Sequence, residues 1–376
     1  MKSLLSFMAV LLCSFCMAQK KAYLLVGTYT DNSSSQGIYV FKWNNKTQQH
    51  QLLSSTAASN PSFLAVAPGN KTVYAVNEDA DTLNNGGGVT AYRFNKKKGT
   101  LTLINRQPSG GNHPCYVTVD KTGKWLFAGN YSSGNFSQFP LLADGALGTA
   151  TNNVRHFGKG PNKDRQEAPH VHGTFLSDDN SLLLVPDLGI DKVMLYQLDA
   201  TSGKLTEAPN PAIQLPGGSG PRHIALHPSQ KYLYVVQELT AAVAAFNFSV
   251  ADGKATLFQT ISSVSQNYSG SLGSADIHVS PNGQFLYASN RGDANDLAIY
   301  SINQATGMLT LQGHQSTMGL KPRNFNFDPT GNFLLAANQE SNNIVIFAVD
   351  NTTGLLTDTG KRIEVPKPVC IKWIVQ

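Results

Sequence analysis

The sequence predicts an all-β fold, a seven-bladed β-propeller with four antiparallel strands per blade and a ring closed by the C-terminal strand joining the N-terminal blade. Three observations carry that expectation. A unit of about 50 residues recurs along the chain, and each copy reads as four short strands. The two chain ends are complementary fragments of one more copy. Six internal units and one shared unit make seven blades in one domain, 19–376.

In chain order, MKSLLSFMAVLLCSFCMAQK comes first. Lys2, an apolar run from Leu4 to Cys16 and a small-residue cleavage site near Ala18 read as a secretory signal peptide, 1–18. The run is too short to span a bilayer comfortably. The expectation is a secreted or periplasmic protein with no membrane insertion after cleavage. AYLLVGTYT, GIYVFKW and a third short strand then supply strands two to four of a blade whose first strand is missing.

Six alternating hairpins follow. They are NPSFLAVAPGNKTVYAVNE from Asn60, HPCYVTVDKTGKWLFAGNY from His113 and VHGTFLSDDNSLLLVPDL from Val171. The others are PRHIALHPSQKYLYVVQEL from Pro221, ADIHVSPNGQFLYASNR from Ala275 and PRNFNFDPTGNFLLAANQ from Pro322. Each has a Pro/Asp/Gly turn at its centre and a polar pair at its end: Asn77-Glu78, Asn130-Tyr131, Asp187-Leu188, Gln237-Glu238, Asn290-Arg291 and Asn338-Gln339. A third strand such as DKVMLYQL or NIVIFAV comes next, then a less regular fourth. KPVCIKWI, at the C-terminus, is a first strand with nothing after it. Joining it to the N-terminal strands removes two open sheet edges.

Composition narrows the function classes. Of 376 residues only 14% are charged and 41% are hydrophobic, with a net charge of +5. The longest basic run is Lys96-Lys97-Lys98, which argues against nucleic acid as a partner. Cys13 and Cys16 fall in the signal, leaving Cys115 and Cys370, too few for a disulfide scaffold or a four-thiolate zinc site. No cofactor is expected; the oligomeric state is not legible.

Hairpin geometry brings the start of strand one and the end of strand two to the same rim. One mouth therefore collects His170, His172, Arg222, His223, Arg323, Glu78, Asp187, Asn130, Glu238 and Arg291. Asn77, Asn130, Asn290 and Asn338 read chiefly as turn residues at strand ends. Arg222, His223, Glu238 and Arg291 do not, because Arg and Glu bring no turn-forming advantage and are costly to bury unpaired. His227 and His278 read as packed or surface histidines, and His50, His113, His156 and His314 carry no specific signal.

EAPHVHG, DLGIDKV, GPRHIALHP, YVVQEL, FLYASNRG and PRNFNFDPTGNFLLAANQ resemble the seven-bladed propeller lactonase family, which contains 6-phosphogluconolactonases and carboxymuconate-lactonizing enzymes. The resemblance spans nearly the whole mature chain and is most specific over 167–339. It implies His172, Glu238, Arg222 and Arg291 as catalytic residues; His170, His223, Arg323, Glu78, Asp187 and Asn130, collected at the same mouth, are the candidate substrate contacts. Alternation places His170 and His172 on one face and leaves the choice between them open; His172 is favoured. Other propeller lactonases use a central calcium, which Asn77, Glu78, Asn130 and Asp187 would imitate, but the arginines argue against a metal.

The chemistry is coherent on its own terms. Lactone opening needs a base to activate water and cationic donors for the oxyanion, and His172, Glu238 and the arginines are of those types. No G-x-S-x-G elbow, Walker A loop or H-E-x-x-H is present. The expected function is hydrolysis of an anionic sugar-acid lactone. The alternatives are a carboxymuconate-type cyclase and a non-catalytic exported propeller that binds a ligand or protein at its mouth.

Overall fold

Seven four-stranded antiparallel sheets form the structure, a computed structural model that describes residues 21–80 and 86–375. The expected signal peptide and its cleavage site lie outside the described residues. The strands number β1 to β28 in chain order. Innermost are β4 (Leu64–Val66), β8 (Pro114–Val119), β12 (Phe175–Leu176), β16 (Pro221–Leu226), β20 (Ser274–Val279), β24 (Pro322–Phe327) and β28 (Pro368–Val375). Each pairs with the next strand of its blade, β5 (Thr72–Asn77), β9 (Trp125–Asn130), β13 (Leu182–Asp187), β17 (Tyr232–Gln237), β21 (Phe285–Asn290) and β25 (Phe333–Asn338) among them.

The ring closes as the two chain ends require. β28 pairs antiparallel with β1 (Ala22–Thr28), with Tyr23 opposite Ile374 and Val26 opposite Ile371. Cores form between neighbouring blades, chiefly from their first three strands. Tyr234, Val236, Ile277, Leu286 and Tyr300 make one of them. Each buried aliphatic side chain there stabilises the fold by about 1.5–3 kcal/mol. Aromatic residues of second strands lock each blade to the next with a polar tip: Tyr74 donates to Gly145 O, Tyr234 to Gly307 O and Tyr287 to Gly354 O.

Strict alternation fails at one repeated place, and the failure makes the site. In β16, Pro221 pairs with Gln237 and His223 with Val236, so Arg222 is an extra, bulged residue. The same two-against-one step falls at Cys115 in β8, at Arg323 in β24 and at Val369 in β28. A bulge re-aims one side chain and sharpens the local twist. Blade after blade, it falls where the inner strand enters the channel. The blade between β12 and β15 (Lys204–Gln214) departs further. Its inner strand shrinks to Phe175–Leu176 plus an isolated bridge from Val171 to Asp187.

Candidate active site

Glu238 follows directly on β17, and its backbone N donates to Gly220 O at 2.8 Å, which sets strand end against strand start. Its carboxylate is buried and meets three guanidiniums. Arg165 Nη2 donates to Oε1 at 2.6 Å. Arg222 Nε and Arg291 Nη2 both stand 3.0 Å from Oε2. Arg222 Nε is off the hydrogen-bonding direction, so that contact is charge pairing rather than an aligned bond. Arg222 Nη1 donates instead to Ala275 O at 2.6 Å.

A second acidic group lies beside the first. Glu78 accepts from Tyr29 Oη at 3.0 Å on each oxygen and from Ser62 Oγ. Arg323 lies 3.9 Å from Glu78 and packs over the Tyr29 ring at 5.3 Å. Four guanidiniums, on Arg165, Arg222, Arg291 and Arg323, thus face two carboxylates. Arg165, Arg291, Arg323 and Glu238 border a cavity of about 480 Å³ that Tyr29, Gly273, Lys321, Gln339 and Glu340 also line. A groove of similar size, about 520 Å³, on the outer edge beside Trp43 and His50 has no carboxylate in its lining.

Histidine and aromatic side chains close a circuit back to Glu238. Arg165 Nη2 lies 3.3 Å from Tyr131 Oη, whose ring meets the His172 ring edge-on at 5.3 Å. His172 meets His223 at 5.4 Å, and His223 Nε2 lies 3.3 Å from Arg222 Nη1. Below, Phe63, Tyr116 and Phe175 pack around His223.

The charges set the ionisation. Burial works to raise the Glu238 carboxyl, but Arg291, Arg222 and Arg165 outweigh it and hold its pKa at about 2. Burial, aided by Arg291 and Arg323, brings Arg222 down to about 9, still charged at neutral pH. Burial and then Arg222 push His223 down to about 3 against the pull of Asp276. Burial, Arg222 and His223 likewise push His172 well below its ordinary value, so both imidazoles are neutral. The Cys115 thiol, 3.7 Å from His172 Nδ1, is raised chiefly by burial and is not a thiolate.

The expected residues therefore divide. Arg222, Glu238, Arg291, Arg323, Glu78, His172 and His223 converge. His170 stacks on Tyr131 at 4.5 Å, and both its ring nitrogens are engaged, with Tyr131 O at 3.1 Å and Glu167 at 3.2 Å. Asp187 is fully buried and acts as a fastening. Its oxygens accept from His156 Nδ1 at 2.7 Å, His170 N at 2.6 Å and Gly189 N at 3.0 Å. Asn130 is fully buried as well and donates to Ser109 O at 3.0 Å, the turn-closing role of a strand-end asparagine.

Four participants escaped sequence reasoning. Tyr29 follows β1 as Glu78 follows β5, so extending the polar-pair register to the first blade would have found it. Asp276 holds His223 Nδ1 at 2.8 Å and His278 Nε2 at 3.0 Å, and sits one residue after the position equivalent to Arg222. His156, buried on Asp187, had no signal, nor had Arg165, which lies in a loop outside every repeat.

A sequence profile described as lactonase, 7-bladed beta-propeller, matches residues 23–373. The chain belongs to the seven-bladed propeller lactonase family. That places it among lactone hydrolases, a class of carboxylic-ester hydrolases. A 6-phosphogluconolactonase of Bacillus subtilis is 38% identical over 354 residues, 93% of this chain and 98% of that one. A candidate 6-phosphogluconolactonase of Bacteroides fragilis superposes with a TM-score of 0.88 at 40% identity, covering 94% and 98% of the two chains. A periplasmic gluconolactonase of Pseudomonas aeruginosa gives a TM-score of 0.88 at 32% identity, covering 94% and 99%. The cavity beside Glu238 is the mouth of a propeller lactonase.

Proposed function

We propose that the protein hydrolyses a sugar-acid lactone bearing an anionic group, of the 6-phosphogluconolactone type, at this mouth. The observation that carries the reading is the charge imbalance at the mouth, where four guanidiniums, three of them largely buried, pair with the carboxylates of Glu238 and Glu78. Buried cations without counter-charges are costly, and a dianionic ligand matches the deficit. Guanidinium forks suit phosphate and the developing oxyanion alike.

Glu238 acts as the base in this reading. A water proton passes to the carboxylate as the water oxygen attacks the lactone carbonyl carbon. Arg222 and Arg291 stabilise the oxyanion, and the ring C–O bond then breaks as the proton held on Glu238 passes to the ring oxygen. Neutral His172 offers a hydrogen bond without adding charge. Names of relatives support the substrate class, and the N-terminal segment with the periplasmic relative supports export. Among the described residues no helix is long and apolar enough to cross a membrane. Steady-state kinetics on 6-phosphogluconolactone and on glucono-δ-lactone test the assignment. Turnover should favour the phosphorylated lactone and disappear in Arg222→Ala and Glu238→Gln. Full activity in either variant refutes the site.

A further inference from the structure

Arg165 differs from the other three arginines in where it is carried. The others sit at blade strands; Arg165 rides on the connection from β11 (Asn152–Arg155) to β12, which belongs to no repeat. That connection is tied down along its length. Asp187 holds His156 at its start and His170 N at its end, at 2.7 and 2.6 Å. Midway, fully buried Gln166 donates from Nε2 to Asp191 Oδ1 at 2.7 Å and to Leu188 O at 2.8 Å. Asp191 also accepts from Gly218 N and Gly220 N at 2.8 Å each, just before the strand that carries Arg222. Beneath Arg165 itself, Asn162 Oδ1 accepts from the backbone N of Asp164 and of Arg165, at 3.1 and 3.2 Å.

The backbone is thus fixed, and the side chain is the most exposed of the four arginines. The Arg165 side chain is 42% exposed, against 2% for Arg222, 17% for Arg291 and 15% for Arg323. Its tip makes the one aligned hydrogen bond to Glu238, on Oε1, and has Tyr131 Oη as a second partner. Among the described residues, Oε1 has no other donor, whereas Oε2 is shared by Arg222 and Arg291.

We propose that Arg165 is a specificity-determining residue that caps Glu238 in the free protein and transfers to the anionic group of a phosphorylated lactone, uncovering Oε1 for the water proton. The inference rests on the hydrolytic reading above. A solvated guanidinium on a fixed pivot exchanges one charge-assisted bond for another at little net cost, and a phosphate offers a bidentate partner. A neutral lactone offers nothing to exchange, and the carboxylate stays covered. Departure of one cation also releases the Glu238 carboxyl upward from its depressed value, toward a better base. The groups that still face it are Arg222 from β16, Arg291 after β21, Arg323 from β24 and Tyr131 after β9.

The test compares wild type with Arg165→Ala and Arg165→Lys on both lactones across pH, after correction for spontaneous hydrolysis. In Arg165→Ala, kcat/KM should fall at least about tenfold for 6-phosphogluconolactone, as for loss of one charge-assisted bond, and rise several-fold for glucono-δ-lactone. The acid limb of the neutral-lactone profile should move to higher pH, because a lost cation raises the carboxyl. Arg165→Lys should fall between. Circular dichroism checks that each variant is folded. An equal fall on both lactones, or an unchanged ratio and acid limb, overturns the cap while leaving hydrolysis standing. Failure of wild type to turn over either lactone overturns both readings.

Discussion

Replacing Glu238 by glutamine removes one negative charge from among three guanidiniums and leaves the shape nearly intact. The cost follows from the ionisation of the site. The carboxyl titrates at about 2 in the folded protein against 4.5 for a free glutamate. That gap is equivalent to about 3 kcal/mol at neutral pH, since each unit is worth about 1.4 kcal/mol. Breaking a buried ion pair by removing one partner costs about 3–5 kcal/mol, so the two routes agree. The sign is that of a depressed acid. The stabilisation is fully present above the unfolded value and is lost as pH falls through the folded one, to less than half by pH 3 and to little at pH 2. Urea unfolding of wild type and Glu238→Gln at pH 7 and near pH 3 reads the difference at each pH. Glu238→Gln should be about 3 kcal/mol less stable at pH 7, and the gap should at least halve at pH 3. Inorganic phosphate should restore part of the loss at pH 7, since the variant carries one more uncompensated cation. An equal gap at both pH values, or one under about 1 kcal/mol at pH 7, refutes the assignment of Glu238 as the charge that holds the arginines.

Two further perturbations probe the support of the site. Asp191→Ala leaves Gln166 Nε2, Gly218 N and Gly220 N without their shared acceptor; it should lower kcat/KM on the phosphorylated lactone about 10- to 100-fold and increase protease cleavage within 157–169, and unchanged kinetics would count against a shared anchor for Arg165 and Arg222. Deleting β28 by ending the chain at Glu364 opens the ring and exposes the β1 edge; the product should be insoluble or aggregated by light scattering, and a soluble, cooperatively melting monomer would contradict closure by this strand.

Much of this molecule is legible in the order of its residues. A unit of about 50 residues with strand periodicity cannot bury its apolar faces alone, so repetition implies stacked blades, and complementary chain ends imply a closed ring. The meeting of Arg222 and Glu238 is legible for the same reason: a hairpin sixteen residues long returns to its starting rim, and Pro221 does pair with Gln237. Sequence is a good guide wherever contacts are local and periodic.

What tertiary structure alone decided is of another kind. Period-two alternation cannot reveal a bulge, yet bulges at Cys115, Arg222 and Arg323 take those residues out of their strands' alternation. Asp187 and Glu238 occupy neighbouring places in the repeat. One is consumed by backbone and His156, while the other is left to cations, and the difference lies in residues dozens of positions away. Arg165 reaches Glu238 across 73 residues of chain from a loop with no repeat register. Repetition determined the blades, the ring and the rim on which the charges gather. Which charges meet, and which carboxylate is left to the arginines, depends on long-range packing and on competition among hydrogen-bond partners, and neither leaves a period in the sequence.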